Sequence, residues 1–412
     1  MPNQILTPTM ITREALKILH DNLVFAKGVN RQYSQEFANT GAKIGSTINV
    51  RKPNTYYVST GSTIAVQSTQ ETFVPLTLNT QYNVAINFTS TELTLSMDDF
   101  SKRILSPAMA RISSRIDYDG LALSKQVYNN VGTPGQTPGA NTGSNLATVN
   151  APQIYLNAGM LLDNSATPRD ENRRCIFNPA AQAGSVAGLS GLFQDAGSIA
   201  EQYRKGVIGT ALGFEFGMDQ NVNTITTGTR SLTAQVSGSN QAGSTLLVQG
   251  VGANATVSAG EKFTIAGVDS VNPENQQDTS LLAQFTVLSA AQANASGVIT
   301  LSIAPAIIAT GATVPNGTVT ALPLSGATVT FPGAASTTFV HNLAYHQDAF
   351  TLATADLLMP MGVDFAARET YDGISMRVVR QYDISNDAFP CRIDVLAGWA
   401  ALRPEMACVI WG

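Results

Sequence analysis

Residues 227–338 limit the fold more than any other part of the chain. Only six positions there carry charge: Arg230, Glu261, Lys262, Asp269, Glu274 and Asp278. Short runs rich in Val, Ile, Thr and Phe recur along the stretch: "STLLVQG", "EKFTIAG", "AQFTVLS", "GVITLSI", "GTVTALP" and "ATVTF". Gly, Asn and Pro separate them at intervals of roughly ten residues, the rhythm of a small barrel or sandwich of short strands. The segments on either side mix helical and extended patterns. The stretch therefore reads as an all-β domain inserted into an α+β chain.

Bulk composition narrows the function. The chain has 412 residues, 44% hydrophobic, which is enough for two or three cores. Charged residues make up only 13%, against a usual share of about 25%. A chain so poor in charge must stay soluble through Ser, Thr, Asn and Gln, or cover its surface by assembling. The formal net charge of −5 and the lack of any basic cluster beyond pairs such as Arg173–Arg174 argue against gripping nucleic acid through a basic face. No run approaches the ~18 apolar residues of a membrane span. "MPNQILTPTM" has no charged-then-apolar signal pattern. Cys175, Cys391 and Cys408 are widely spaced, as expected of free buried thiols in a reducing compartment.

Local patterns give the remaining organisation. Residues 12–27 predict an amphipathic helix with Thr12 as N-cap, a stripe of Leu16, Leu19, Leu23 and Ala26, and an end at Gly28. "TINVR", "VPLTL" and "YNVAINF" alternate as strands do, and the polar, Thr-rich stretch between the first two reads as a two-stranded excursion with its tip near 59–63. Leu105, Met109, Ile112, Ile116, Leu123 and Val127 predict a long helix over 98–131, its stripe interrupted at Gly120, with Ser106–Pro107 marking a helix start inside it. Residues 151–226 alternate helix and strand. The apolar run 392–412, with two tryptophans, predicts closing strands held in a central sheet.

No constellation of catalytic residues emerges. His20, His341 and His346 are too dispersed for a metal site, and the last two fall on opposite faces of a strand. "GLSGL" (188–192) fails the G-x-S-x-G pattern at Leu192. "AGEKFT" lacks the glycine and GK[ST] of a phosphate loop. Asp98–Asp99 and Asp170–Glu171 suit helix starts or solvated loops better than acid/base pairs. A long chain with ample core and no reactive set favours a structural role. A carbohydrate-binding or adhesin-like surface protein is the alternative suggested by the Thr- and Asn-rich β stretch. It would call for exposed aromatic platforms, and 227–338 contains no Trp or Tyr.

The closing segment carries a resemblance. Asp383–Ile384–Ser385, Cys391–Arg392–Ile393, Gly398 with Trp399, and Arg403–Pro404–Glu405 follow in order the closing run of the major capsid proteins of short-tailed double-stranded DNA phages of the Salmonella phage type. "AGEKFTIAGV" (259–268) resembles a run in that family's inserted domain, and "YNVAINF" before the long helix fits in place. The resemblance implies an α+β Hong Kong 97-type capsid fold: N-terminal arm 1–33, extended loop and peripheral strands 34–96, peripheral domain with spine helix 97–149, axial domain 150–226, inserted β-barrel 227–338, and return to the axial domain 339–412. It further implies pentamers and hexamers closing an icosahedral head around double-stranded DNA that is enclosed without specific binding. A scaffolding protein and a portal are the implied partners. No cofactor, metal or catalytic residue is implied. Glu14, Asp21, Tyr56, Tyr57 and Thr60 become candidates for the assembly interface. In relatives a charged loop early in the inserted domain can bridge capsomers. The corresponding "SGSNQAGSTLLVQG" (237–250) is uncharged here, so such salt bridges are not expected from it.

Overall fold

The computed structural model describes residues 8–34, 37, 45–58, 61–62, 66–69, 71–88, 101–138, 151–189, 208–311, 313–384 and 389–412. They divide into two compact units. The first comprises Met1–Lys52, Phe73–Gly120 and Phe350–Leu402, and the second Pro53–Thr72, Leu121–Ala349 and Arg403–Gly412.

In the first unit, helix α1 (Pro8–Asn22) starts earlier and stops sooner than the sequence suggests. Pro8 suits a first helical position, where its missing N–H is not needed. Thr12 is buried inside the helix, not at its cap. The chain leaves the helix because the Val24 and Ala26 N–H groups donate to the buried Asp117 carboxylate, at 2.8 and 2.9 Å, in place of continuing the helical ladder. The apolar stripe is as expected, with Leu16, Leu19, Leu23 and Ala26 all buried. Strands β1 (Thr47–Arg51) and β2 (Phe73–Thr77) pair antiparallel, the base of the expected excursion. Its tip lies mostly outside the described residues. Strand β3 (Thr80–Phe88) follows.

The long helix is helical over 101–126 but not uniform. A wide π turn (Ser101–Leu105) leads into α2 (Ser106–Leu121), which tightens into a 3-10 turn (Ala122–Gln126). Pro107 has no N–H for the ladder, which accounts for a loosened turn just before it. Val127 is already extended. The break in the stripe at Gly120 has a packing reason. A Cβ there would sit 2.6–2.9 Å from the Trp399 ring and Phe25, and Phe25 stacks on Trp399 with centroids 5.5 Å apart.

In the second unit, β4 (Asn130–Val131), α3 (Ala151–Asn164), β5 (Arg173–Phe177), α4 (Pro179–Leu189), β6 (Thr210–Ala211), β7 (Phe214–Met218) and β8 (Thr224–Thr226) form the alternating layer read from the sequence. The helix expected at "GSIAEQYRKGV" lies outside the described residues.

The charge-poor stretch then contributes β9 (Thr233–Val236), β10 (Gly243–Gln249), β11 (Thr256–Val257), β12 (Lys262–Val271), β13 (Asp278–Val287), β14 (Ala291–Gln292), β15 (Val298–Ile307) and β16 (Thr328–Thr330). Six of them close a barrel in the order β10-β15-β13-β12-β16-β9, every neighbour antiparallel. Closure leaves no open edge to pair with other chains. "GTVTALP" is not one of the staves. Val319 is buried in the core, but its backbone makes only single bridges to Ser270 and Ala309. The sixth stave is β9.

Three of the six charges are spent inside this β region. Arg230 and Glu261 pair at 2.6 Å with both side chains buried. Glu261 also accepts from the Gly228 and Ser258 N–H groups, and Arg230 donates to the Gly333 and Pro332 carbonyls and lies over Phe331. Each guanidinium nitrogen and both carboxylate oxygens thus have a partner, which offsets the cost of burying the ion pair.

Strand β17 (Thr338–His346) returns the chain to the central sheet. Then β18 (Phe350–Ala355), β19 (Phe365–Tyr371), β20 (Ile374–Arg380) and β21 (Phe389–Ala401) build the sheet of the first unit, where β21 pairs with β18, β20 and β3. Gly398 is required there, since a Cβ would fall on the Thr77 carbonyl. Strand β22 (Ala407–Trp411) lies between β4, parallel, and β17, antiparallel, with all five residues buried. Of the run 392–412 expected in a central sheet, 407–411 lies there, whereas 392–401 belongs to β21 in the sheet of the first unit, because its register pairs it with β18, β20 and β3.

The three thiols are free and buried. Cys175 and Cys408 flank Ala344 on neighbouring strands, and burial pushes both thiols well above their usual range. His341 packs edge-on to Trp411 at 4.7 Å, and neither ring nitrogen has a hydrogen-bond partner. Burial, aided by the charges of Lys262 and Lys125, holds its pKa well below the usual value.

Two predictions arise here. Gly120→Ala should lower stability by about 1–3 kcal/mol, the usual effect of overpacking a filled core, read as a fall in Tm. His341 stays neutral in the fold, whereas the unfolded chain takes up a proton below pH ~6.5. Its contribution is thus present above that pH and is lost as pH falls toward the depressed folded value, at up to about 1.4 kcal/mol per pH unit. Tm measured from pH 7.5 to 5 should fall less steeply in His341→Leu than in the parent protein.

Candidate assembly surface

An assembly surface needs exposed side chains held by a rigid frame. Helix α1 is one such frame. Its inner stripe packs on β19 and β20, which satisfies the need of a short amphipathic helix for a partner. Three polar contacts tie α1 and the chain just after it to the β19–β20 end. Arg13 Nε lies 3.3 Å from Glu369, His20 Nε2 lies 3.0 Å from Asp372, and Arg31 lies 2.7 Å from the same Asp372 carboxylate. Asp372 sits at the β19–β20 turn with φ 50°, a left-handed position that Asp tolerates better than most residues. Its backbone carbonyl also accepts from Arg31, and the His20 ring meets Tyr371 edge-on at 5.0 Å. Between helix and strand runs a groove of about 430 Å³ lined with charges of both signs.

The sequence candidates fall as follows. Glu14 and Asp21, two turns apart, share one side of α1. Glu14 accepts a hydrogen bond from Ser101 Oγ at 3.1 Å and is half-buried. Asp21 is largely exposed at the groove. Tyr56 and Tyr57 belong to the other unit, on 53–72. Tyr56 is 58% exposed. Tyr57 is half-buried, and its backbone is bracketed by Gln67, which accepts from its N–H and donates to its carbonyl. Thr60 lies outside the described residues.

Sequence reading missed the most exposed apolar groups: Met361, fully exposed, Val58 and Val66 at 90%, Leu358 at 85% and Ile384 at 84%. The signal for two of them was legible, since "LLMPMG" places apolar residues around a proline where no strand can run. The uncharged 237–250 segment is a compact hairpin. Gln241 donates to the Ser237 and Leu247 carbonyls and accepts from the Leu247 N–H.

The residues that carried the family resemblance have structural employment. Asp394, fully buried beside the Cys391–Arg392–Ile393 run, receives Arg377 and Arg392, each at 2.6 Å. Arg403 Nε reaches Glu405 at 3.3 Å. In "AGEKFT", Glu261 and Lys262 are both buried. Among the described residues no group of His, Cys, Asp and Glu is arranged to hold a metal ion, and no helix is long and apolar enough to cross a membrane.

The family model described as "P22 coat protein - gene protein 5" matches residues 3–411. The chain belongs to the P22 coat protein family. No curated protein matches it at a significant level. Solved structures similar to it include one from Mycobacterium phage Che8, with 11% identity, 94% of this chain and 90% of that chain covered, and a TM-score of 0.44. The capsid of the cyanophage P-SCSP1u is 12% identical over 90% and 84% of the two chains, with a TM-score of 0.40. The capsid of Ralstonia phage GP4 is 9% identical over 93% and 86%, also with a TM-score of 0.40. As a member of the coat protein family, the chain is a major capsid protein of a tailed phage, self-assembling into the icosahedral shell of the virion head. Its α+β architecture with a closed six-stranded barrel is the Hong Kong 97-type fold with an insertion.

Asp372→Asn keeps a side chain suited to the left-handed turn and removes the charge shared by His20 and Arg31. It should lower stability by about 0.5–1 kcal/mol, the range for partly exposed ion pairs. Hydrogen exchange should quicken in α1 while the barrel amides remain as they were.

Proposed function

We propose that this coat protein assembles as pentamers and hexamers around a scaffolding protein, with a portal at one vertex, and that it has no catalytic role. The family match across residues 3–411 carries the proposal. A purely structural role is also supported by how the ionisable groups are used: Asp117, Glu261, Arg230 and Asp394 all bracket backbone or partner side chains inside the subunit. The acidic balance of −5 suits a wall that encloses double-stranded DNA without adhering to it.

The chain is then divided as arm 1–33, extended loop with peripheral strands 34–96, peripheral domain 97–149, axial domain 150–226 with its return 339–412, and inserted barrel 227–338. Glu14, Asp21, Tyr56, Tyr57 and Thr60 are proposed as contacts to neighbouring subunits. Many modest contacts of this kind suffice, because a closed shell engages them simultaneously.

Purified protein, alone and with its scaffolding protein, should sediment as pentamers, hexamers or shells, and shells should be visible by electron microscopy. A strictly monomeric species under every assembly condition would refute the proposal.

A further inference from the structure

The end of α2 poses a problem that a feature of the barrel solves. Carbonyls in the last turn of a helix have no N–H to accept from within it, and the 3-10 turn Ala122–Gln126 ends in such groups. The Ser124 carbonyl accepts from the Val127 N–H at 3.3 Å, and the remaining donors come from far along the chain. Lys262, on β12 and 1% exposed, directs Nζ to the carbonyls of Ser124 at 3.2 Å, Lys125 at 3.4 Å and Val127, and to Thr286 Oγ1 at 2.9 Å. The Thr286 hydroxyl donates in turn to the Lys125 carbonyl at 2.8 Å. Two residues before it on β13, Gln284 brackets Asn130, accepting from its N–H at 2.6 Å and donating to its carbonyl at 3.0 Å. Gly260, with φ +92°, brings the barrel backbone against Lys125, where a Cβ would sit 2.8 Å from that side chain.

A lysine is rarely buried without a carboxylate, and among the described residues none forms an ion pair with Lys262. Its partners are the oxygens at the negative end of the helix dipole, where a cation is favoured. Burial pushes the Lys262 pKa down, and the ring of carbonyls opposes that by stabilising the ammonium. On its other side the same segment is held by the central sheet. The Asn129 carbonyl accepts from the Val409 N–H, Asn129 Nδ2 donates to the Ala407 carbonyl, and Trp411 Nε1 donates to Asn130 Oδ1.

We propose that the inserted barrel is the C-terminal cap and brace of the long helix: Lys262, Thr286 and Gln284 are positioning residues that hold 124–130 in the conformation that lets β4 pair with β22. The barrel thereby sets how the segment 122–130 runs on into the central sheet. This property belongs to the single subunit and does not depend on the shell reading.

The test is hydrogen exchange on full-length, unassembled protein carrying Lys262→Met or Gln284→Met. Amides of 121–131 should exchange at least tenfold faster in either variant, with those of the barrel staves 233–330 unchanged. Unchanged protection of 121–131 in both folded variants would overturn the proposal. If Lys262→Met does not fold, Thr286→Val keeps the ammonium and removes only the hydroxyl. Faster exchange confined to 121–131 would then support the brace, and loss spread evenly through the barrel would overturn it. Shell assembly is not the readout, so failure of the brace and failure of the assembly reading remain distinguishable.

Discussion

The Trp399 ring, seated where Gly120 carries no side chain, is the contact on which the first unit depends. It joins three distant pieces of chain: the turn after α1 through Phe25, the last turn of α2, and the C-terminal end of β21. Strand β21 can approach β2 closely only because residue 398 is also glycine. Two glycines thus give one large, half-buried aromatic its place, and the ring stacked on the buried Phe25 contributes to local packing. The buried Asp117 completes the join by holding the backbone that leads away from α1.

The second unit solves a different problem, that of burying charge without leaving it unmatched. Arg230 and Glu261 satisfy each other and four backbone groups. Lys262 is matched by carbonyls and a hydroxyl alone. With those three inside, the charges left to the remainder of 227–338 are Asp269, Glu274 and Asp278, all acidic and all on or between β12 and β13. The rest of that region is uncharged. A coat protein whose rims are covered by neighbours can tolerate such a surface, because solubility of the free subunit is needed only until the lattice closes.

Much of the fold was legible because it follows from short-range pattern. Alternation in 227–338 announced strands, and five of the six marked runs became barrel staves. The sixth, "GTVTALP", has the composition of a strand but only single bridges, and β9 took its place in the ring. Register and closure depend on partners distant in sequence, which no local run encodes. The ends of α1 were misplaced for the same kind of reason. Asp117, remote in sequence, captures the N–H groups that would have extended the helix. Of the candidate surface, Asp21 and Tyr56 proved exposed, and Glu14 and Tyr57 proved partly engaged within the subunit.

The sequence by itself determined the class of the protein. Low charge, a β stretch set within an α+β chain, an apolar closing segment and the ordered runs from Asp383 to Glu405 were sufficient to point to a coat protein, because composition and motif order are properties of the linear chain. Tertiary structure alone decided which buried charges pair, why Gly120 interrupts an apolar stripe, and that Lys262 serves a helix more than a hundred positions before it. Those outcomes rest on groups meeting across long loops in a dry interior, where each polar atom must find whichever partner the packing presents.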